Sequence, residues 1–592
     1  MASLTVQHAY ELALGHQLAG RVAEAEAVYR LLLGRFPDFP EVHNNLGVAL
    51  QAQGRLDEAI ACFRRALVLD AEVAGARGNL AEALRLEGDK LTAEGRSQDA
   101  AALFREALEV RHDDAAAINS LGYAQLGLGQ LDEAISLFSR AIELRPDVAV
   151  AYRNLGDALK HAGRLDEAIA CYRRAPGDAL TASYLLSTLH LHPDYDRRRL
   201  YDEHVRWDRT YAQEMERQAR PHEDSDAMGP PQRLRVGYVA YVLANHPLGR
   251  LLLPLMRGHD HAAFEIFCYC DVRGSDHVGD ELKSSADVWR TTRGMTDAQV
   301  AEQIRADKID ILVDLVLHAG QHRLLAFARK PAPVQVSYLA YCSTTGLTAM
   351  DYRLTDPYMD PPGRDDSVYS EQSLRLPHCF WCYSAPPEAP PVAQPPVRES
   401  GRVTFGCLNS YSKVSGLIFD TWSDLLARMP DSRLILHALE GSHRDRAGRR
   451  LADRGIEPNR LEFVAYQPPA DYFAEYNRID VALDPFPQCG GATTLDALWM
   501  GVPVVSLAGE TAVSRAGLSI LSNIGLPQLV VTTPRQYIEI ALGLAADVPR
   551  LRELRSTMRQ RMQSSPLMDA RQFARDVEAA YRMMWHKWCA TR

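Results

Sequence analysis

The chain has 592 residues, 46% of them apolar and 24% charged, with a formal net charge of -10. That length holds two to four domains, and the acidic balance offers no global basic field for nucleic acid. There is no run of about 18 apolar residues to span a membrane, and no basic-then-apolar leader at the N-terminus. Ten cysteines scattered along the chain suit reduced thiols, so a cytoplasmic protein is expected.

From the N-terminus a period of 34 residues dominates. Leu46, Leu80, Leu121 and Leu155 fall at steps of 34, 41 and 34, and Gly20, Gly54, Gly95, Gly129 and Gly163 mark the turns with the same irregularity. The extra seven residues fall within GDKLTAE, near 88–94, and equal about two helical turns, so they lengthen a helix without rotating its apolar face. Units such as NLGVALQAQGRLDEAIACFRRALVLD keep small residues (Gly47, Ala59, Ala66) where paired helices approach. The pattern resembles the tetratricopeptide repeat, five copies over residues 1–176, an array whose concave face takes extended peptides. A solenoid used for dimerisation is the competing use. Residues 177–232 leave the period and read as capping helices and a linker, the linker being PHEDSDAMGPPQ at 221–232.

At Arg233 the pattern changes. LRVGYVAYV (234–242), FEIFCYC (264–270), IDILVDLV (309–316) and VQVSYLA (334–340) are buried-strand runs separated by helical segments. Proline-rich APPEAPPVAQPPVRES (385–400) interrupts them. RVTFGC (402–407), RLILHA (433–438), RLEFVA (460–465), IDVALD (479–484) and VPVVSL (502–507) then form a second set. The alternation predicts two doubly wound α/β domains, 233–395 and 396–592, with a ligand cleft at the carboxyl ends of the strands. The last helix carries Phe573, Val577, Tyr581, Met584 and Trp588 on one stripe and is expected to pack back across both halves. Neither half has G-x-G-x-x-G after its first strand, and no cluster has metal-ligand spacing, so neither a dinucleotide nor a metal is expected. Cys379-Phe380-Trp381-Cys382 reads as a strand-borne coincidence.

In VALDPFPQCGGATTLDALWMGVPVV, from Val481, a strand, a glycine-rich turn (Gly490, Gly491, Ala492, Thr493, Thr494) and a helix start follow one another. Free amides at a helix N-terminus, its dipole and the threonine hydroxyls suit a phosphate. Asp496, read as lying in the first helical turn, can accept from a sugar hydroxyl. Lys413 follows the strand RVTFGC and can neutralise a diphosphate; His246, in a turn after the first strand, can take a hydroxyl proton.

Together, Arg235-Val236-Gly237-Tyr238, Asn245-His246-Pro247, KIDILVDL, ARKPAPVQVSYLAY, FGCLNSYSKVS and the glycine–threonine turn resemble the protein O-GlcNAc transferase and SPINDLY-like glycosyltransferases, a tetratricopeptide array followed by a two-domain GT-B region. The resemblance implies an inverting, metal-independent transfer from a nucleotide sugar, most often UDP-GlcNAc, to Ser or Thr of protein acceptors held along the array. GDP-fucose or UDP-glucose is the alternative donor, and self-association to a homodimer is left open. It gives Lys413 and His246 catalytic roles. It gives Ser410, Tyr472 (stacking on the base), Gly490, Gly491, Ala492, Thr493, Thr494 and Asp496 (on the ribose) to the donor. His318, Leu339, Tyr341 and Thr344 are assigned to the acceptor and sugar side, with Gln321, His322 and Arg323 assisting. Three first-half loops depart from the family: Tyr241-Val242-Leu243, Leu315-Val316-Leu317-His318 and Ala340-Tyr341-Cys342-Ser343-Thr344-Thr345-Gly346. Those departures leave two readings, an altered preference or a nucleotide-binding scaffold.

Overall fold

A computed structural model of the chain describes residues 5–220, 222, 233–271, 276–364 and 366–591. The expected linker at 221–232 lies outside these apart from His222. The chain forms two compact units. One runs to Leu159 and takes in Arg174–Pro176; the other holds Lys160–Arg173 and everything from Gly177.

The first unit is built from helix pairs: Val6–Leu18 with Val22–Arg35, Pro40–Ala52 with Leu56–Leu69, Ala76–Ala93 with Ser97–Val110, and Ala115–Gly127 with Leu131–Leu144. Pairing depends on a glycine facing an aromatic ring. A Cβ on Gly47, Gly88 or Gly122 would come within 2.5, 2.5 and 2.7 Å of Phe63, Phe104 and Phe138, so only a bare backbone lets each pair close. The turn glycines Gly20, Gly54, Gly95 and Gly129 all have φ between 75 and 79°, a left-handed conformation that favours glycine. The inserted seven residues appear as an 18-residue helix, Ala76–Ala93, where the preceding pair opens on one of 13. The fifth repeat's helices, Ala149–His161 and Leu165–Arg174, lie where one unit gives way to the other.

The second unit opens with helices Ala179–Leu189 and Arg197–Trp207, a π-helical turn Asp208–Ala212 and a short helix Gln213–Arg217. Two parallel sheets follow. The first contains β1 (Leu234–Ala240), β2 (Phe264–Cys270), β3 (Val288–Thr291), β4 (Ile311–Asp314), β5 (Val334–Ser337), β6 (Tyr352–Thr355) and β7 (Gln372–Arg375), in the order β3-β2-β1-β4-β5-β6-β7. The second contains β8 (Thr404–Cys407), β9 (Arg433–His437), β10 (Leu461–Val464), β11 (Val481–Leu483), β12 (Val504–Leu507) and β13 (Val530–Val531), in the order β10-β9-β8-β11-β12-β13. Strand order reverses between β1 and β4 and again between β8 and β11. Those are the places where a doubly wound sheet opens a crevice for a ligand.

The terminal helix Ala570–Ala590 buries Phe573, Val577, Tyr581 and Met584. It returns to the first half, where Tyr581 and Tyr238 hydroxyls meet at 3.2 Å and Glu578 pairs with His259 at 2.9 Å. Cys379 and Cys382 are buried free thiols in an irregular segment after β7, which corrects their placement on a strand. No helix among the described residues is long and apolar enough to cross a membrane.

Candidate active site

The crevice of the second sheet is built around one buried carboxylate. Asp484 directly follows β11, and its oxygens accept from the Gly490 amide (2.7 Å), the Ser506 hydroxyl (2.6 Å) and the Thr494 hydroxyl (3.3 Å). These bonds pin the turn that leads into helix Ala492–Trp499. A Cβ on Gly490 would stand 2.5 and 2.6 Å from the hydroxyls of Thr494 and Thr493 and 3.0 Å from Asp484, so no other residue fits there unchanged. Leu495 makes the first bond back to Gly491, and the amides before it have no intrahelical acceptor.

Lys413 comes from the neighbouring strand. After β8 the chain makes a short 3-10 turn, Tyr411–Lys413, headed by Ser410, before helix Gly416–Arg428. The ammonium donates to the Cys489 carbonyl at 2.9 Å, immediately before the two glycines, and to Asn409 Oδ1 at 3.1 Å. Thr493 donates to the same Asn409 oxygen at 2.8 Å. A cation, two glycines, a threonine hydroxyl and a helix start therefore converge. Burial pulls the Lys413 pKa below the usual lysine range, against the opposing pull of Asp484; burial raises Asp484.

His246 caps helix Pro247–Gly258, which follows β1, and accepts from the Leu248 amide at 3.4 Å. The imidazole is exposed, and its pKa is lowered by the desolvation of its surroundings and then by the Arg250 guanidinium. Arg250, one turn further on, crosses to the second half and meets Asp496 at 3.2 Å. Asp496 lies in the second turn of its helix rather than the first, and is 1% exposed. Besides Arg250 it accepts from Tyr383 (2.8 Å) and Tyr472 (3.2 Å), so a ribose contact there requires one of these donors to yield. Tyr472 is half-buried and spends its hydroxyl on Asp496 and Tyr476. Gly491, Ala492 and Thr493 remain partly exposed at the turn.

The positions expected to face the sugar in the first half are buried. His318 is fully buried: its Nε2 donates to the Thr345 carbonyl and its Nδ1 accepts from Ser183, both at 2.8 Å, beneath Trp207. Leu339 is buried, Tyr341 packs with Leu317 and Val513, and Thr344 donates to Glu371 at 2.7 Å. These residues fill the junctions between the opening helices, the first sheet and the second half. The sequence reading missed Asp484, Asn409, Arg250 and Tyr383. A signal existed for two of them: Asp484 closes the strand before the glycine turn, and Arg250 follows His246 by one helical turn. Among the described residues, no group of three His, Cys, Asp or Glu side chains is arranged to hold a metal ion.

The profile of glycosyl transferase family 41 matches residues 207–384 and 398–577, and tetratricopeptide profiles match 38–113, 85–149 and 120–183. A mutant O-GlcNAc transferase of Thermobaculum terrenum is similar in structure, with a TM-score of 0.81 and 36% identity, covering 87% of this chain and 99% of that one. That likeness identifies the two α/β domains as a GT-B arrangement. Two curated proteins are similar in sequence. The first is a probable UDP-N-acetylglucosamine–peptide N-acetylglucosaminyltransferase SPINDLY of Oryza sativa subsp. japonica, 36% identical over 364 residues, 60% of this chain and 39% of the relative. The second is the probable transferase SEC of Arabidopsis thaliana, 31% identical over 370 residues, 61% and 38%. The chain thus spans about two fifths of the length of these curated relatives. The family profile takes in both sheets and the segments carrying His246, Lys413 and the glycine turn: the chain belongs to glycosyl transferase family 41.

Proposed function

We propose that the chain transfers a sugar from a nucleotide diphosphate donor, UDP-GlcNAc, to a serine or threonine hydroxyl of a protein, with inversion. The observation that carries this reading is the ammonium of Lys413 bonded to the carbonyl before Gly490, beside the open amides of the Ala492–Trp499 helix. A diphosphate held there finds a positive charge and amide donors already in place, so charge developing on the leaving group is stabilised without reorganisation or a divalent ion. The acceptor oxygen attacks the anomeric carbon as the bond from that carbon to the diphosphate oxygen breaks, and the hydroxyl proton passes to His246 Nδ1, which gives up its long 3.4 Å bond from the Leu248 amide. Its lowered pKa keeps the imidazole neutral, and so able to accept, at neutral pH. Ser410, Gly490, Gly491, Ala492, Thr493 and Thr494 hold the diphosphate, Tyr472 flanks the base, and Asp496 takes the ribose once one of its tyrosine donors, Tyr383 or Tyr472, yields. Ten free cysteines accord with a cytoplasmic setting.

The test combines a donor panel with one variant. Intact-protein mass spectrometry of acceptor proteins incubated with UDP-GlcNAc, UDP-glucose or GDP-fucose is expected to show a GlcNAc mass increment. Lys413→Ala is expected to lower turnover by about 10²-fold or more, as loss of a leaving-group charge stabiliser does. Transfer by the variant at the wild-type rate would remove Lys413 from the mechanism. The burial of His318, Leu339, Tyr341 and Thr344 favours a second reading, a nucleotide-binding scaffold. UDP binding without transfer or donor hydrolysis would select it.

A further inference from the structure

The two α/β halves are joined at several points. Some are remote from the glycine turn in sequence: Glu578 with His259, Ser519 with Asp356 at 2.5 Å, and Arg515 with the Tyr358 carbonyl at 2.9 Å. Arg250 is different, because it belongs to the helix that His246 caps and its partner belongs to the helix that the glycine turn opens. Both guanidinium nitrogens address the carboxylate, at 3.2 and 3.5 Å, and the guanidinium carbon stands 5.8 Å from the Phe473 ring centre.

Asp496 carries the contact inward. Tyr472 donates to it, the Tyr472 and Tyr476 hydroxyls meet at 2.8 Å, and Tyr476 donates to the Thr493 carbonyl at 3.1 Å. Thr493 in turn shares Asn409 with Lys413. A connected path of polar contacts thus runs from the helix of His246 to the ammonium at the glycine turn. Every donor and acceptor along it is a short, planar or ring-borne group save the lysine and arginine at its ends, which gives the path little freedom to slide.

We propose that Arg250 is a positioning residue for sugar transfer: its pairing with Asp496 fixes the helix headed by His246 against the donor half and holds the imidazole in register with Lys413 and the glycine turn. The proposal rests on the functional reading above. Transfer requires the acceptor side and the leaving-group side to keep one distance, and a displacement of about 1 Å is enough to cost on the order of 10²-fold in rate. UDP is held by the second half, so its binding does not need Arg250. The fork geometry matters as well as the charge, since two nitrogens face one carboxylate and an ammonium reaches it at a single point.

The experiment uses the full chain with Cys589, the exposed thiol, replaced by serine, and reads three quantities on Arg250→Gln, Arg250→Lys, Asp496→Asn and the Arg250→Gln/Asp496→Asn pair. For Arg250→Gln the expected result is a fall in kcat of tenfold or more, a UDP Kd by calorimetry within threefold of the wild type, and a longer or broader spacing between spin labels at the exposed positions Lys283 and Arg446. Arg250→Lys should show the same effects in reduced form. The double variant should be no worse than the poorer single one, because the pair acts as a unit. An unchanged label spacing in both Arg250 variants would overturn the proposal, as would an unchanged kcat in an active background or a UDP Kd weakened tenfold, which would make Arg250 a donor ligand. If the wild type transferred no sugar, the functional reading would fail while the label spacing still decided the clamp. Should Arg250→Gln be too unstable to measure, Arg250→Lys is judged by the same outcomes.

Discussion

Gly490 is fixed by what surrounds it rather than by backbone conformation. The three atoms a methyl group would strike, two threonine hydroxyls and the Asp484 carboxylate, are themselves hydrogen-bonded, so none can retreat without loosening another. Gly490→Ala is therefore expected to cost about 1–3 kcal/mol of stability, as overpacking of a closed site does. It should also weaken UDP binding by tenfold or more; calorimetry and a thermal melt check both, and wild-type affinity in the variant would speak against this turn as the phosphate cradle. The turn was legible in the sequence because its parts are consecutive: strand, two glycines, threonines, helix. Asn409 and Arg250 were not, because their partners lie 84 and 246 residues away along the chain. Spacing encodes a turn, but it does not encode which remote side chain closes it. The same limit explains His318, whose place after β4 suggested the crevice while its two hydrogen bonds, to Ser183 and Thr345, hold it inside the protein.

The helices that open the second unit meet the first sheet through a cluster of imidazoles. His190 and His204 come from helices Ala179–Leu189 and Arg197–Trp207, His190 at the end of the first; His318 and His322 follow β4, and successive ring centres are 5.2–5.7 Å apart. Neither ring nitrogen of His190 has a hydrogen-bond partner among the described residues. Burial lowers all four; His204 is pulled down to about 4, and His322 likewise, with Asp178 opposing and Arg323 assisting in the case of His322. The native rings are thus neutral where unfolded ones, titrating near 6.5, take up protons. Stability that is whole above pH 6.5 is lost as the pH falls toward 4, and His204 alone accounts for about 2 kcal/mol by pH 5. A melt of the full chain is expected to shift down between pH 7 and pH 5, and His204→Phe to flatten that dependence; a transition temperature constant over this range would contradict the assignment of these rings as buried and neutral. None of this was legible, since four histidines spread over 133 positions carry no period. The repeats were legible because leucines and turn glycines recur at steps of 34 with a single step of 41. Strands β3, β6 and β7 escaped because they are short and interleave polar residues, as in Tyr352–Thr355 and Gln372–Arg375, and β13 because it is only two residues long.

At the level of the whole chain, the two units have separate cores. The clusters around Phe63 and Phe104 draw on residues before Leu159, while those around the two sheets draw on residues from Ile169 onward. Every group assigned to the chemistry belongs to the second unit. The first unit has a cleft of about 400 Å³ between its later repeats, lined by Arg85, Arg111, Asn119, Ser120 and Arg145. On the function proposed above, chemistry and acceptor choice would be divided between units that fold around different residues. A chain starting at Lys160 keeps the segment Lys160–Arg173 with the unit it belongs to, and is expected to fold, to bind UDP within threefold of the full chain and to hydrolyse the donor at a comparable rate. Its kcat/KM for protein acceptors should fall by tenfold or more, with short peptides affected less, since they depend less on a remote arm. Calorimetry, donor hydrolysis and transfer assays on the two chains give the comparison. Equal kcat/KM for protein acceptors would leave the array without a part in acceptor selection, and loss of UDP binding would mean that the second unit depends on the first for its own structure.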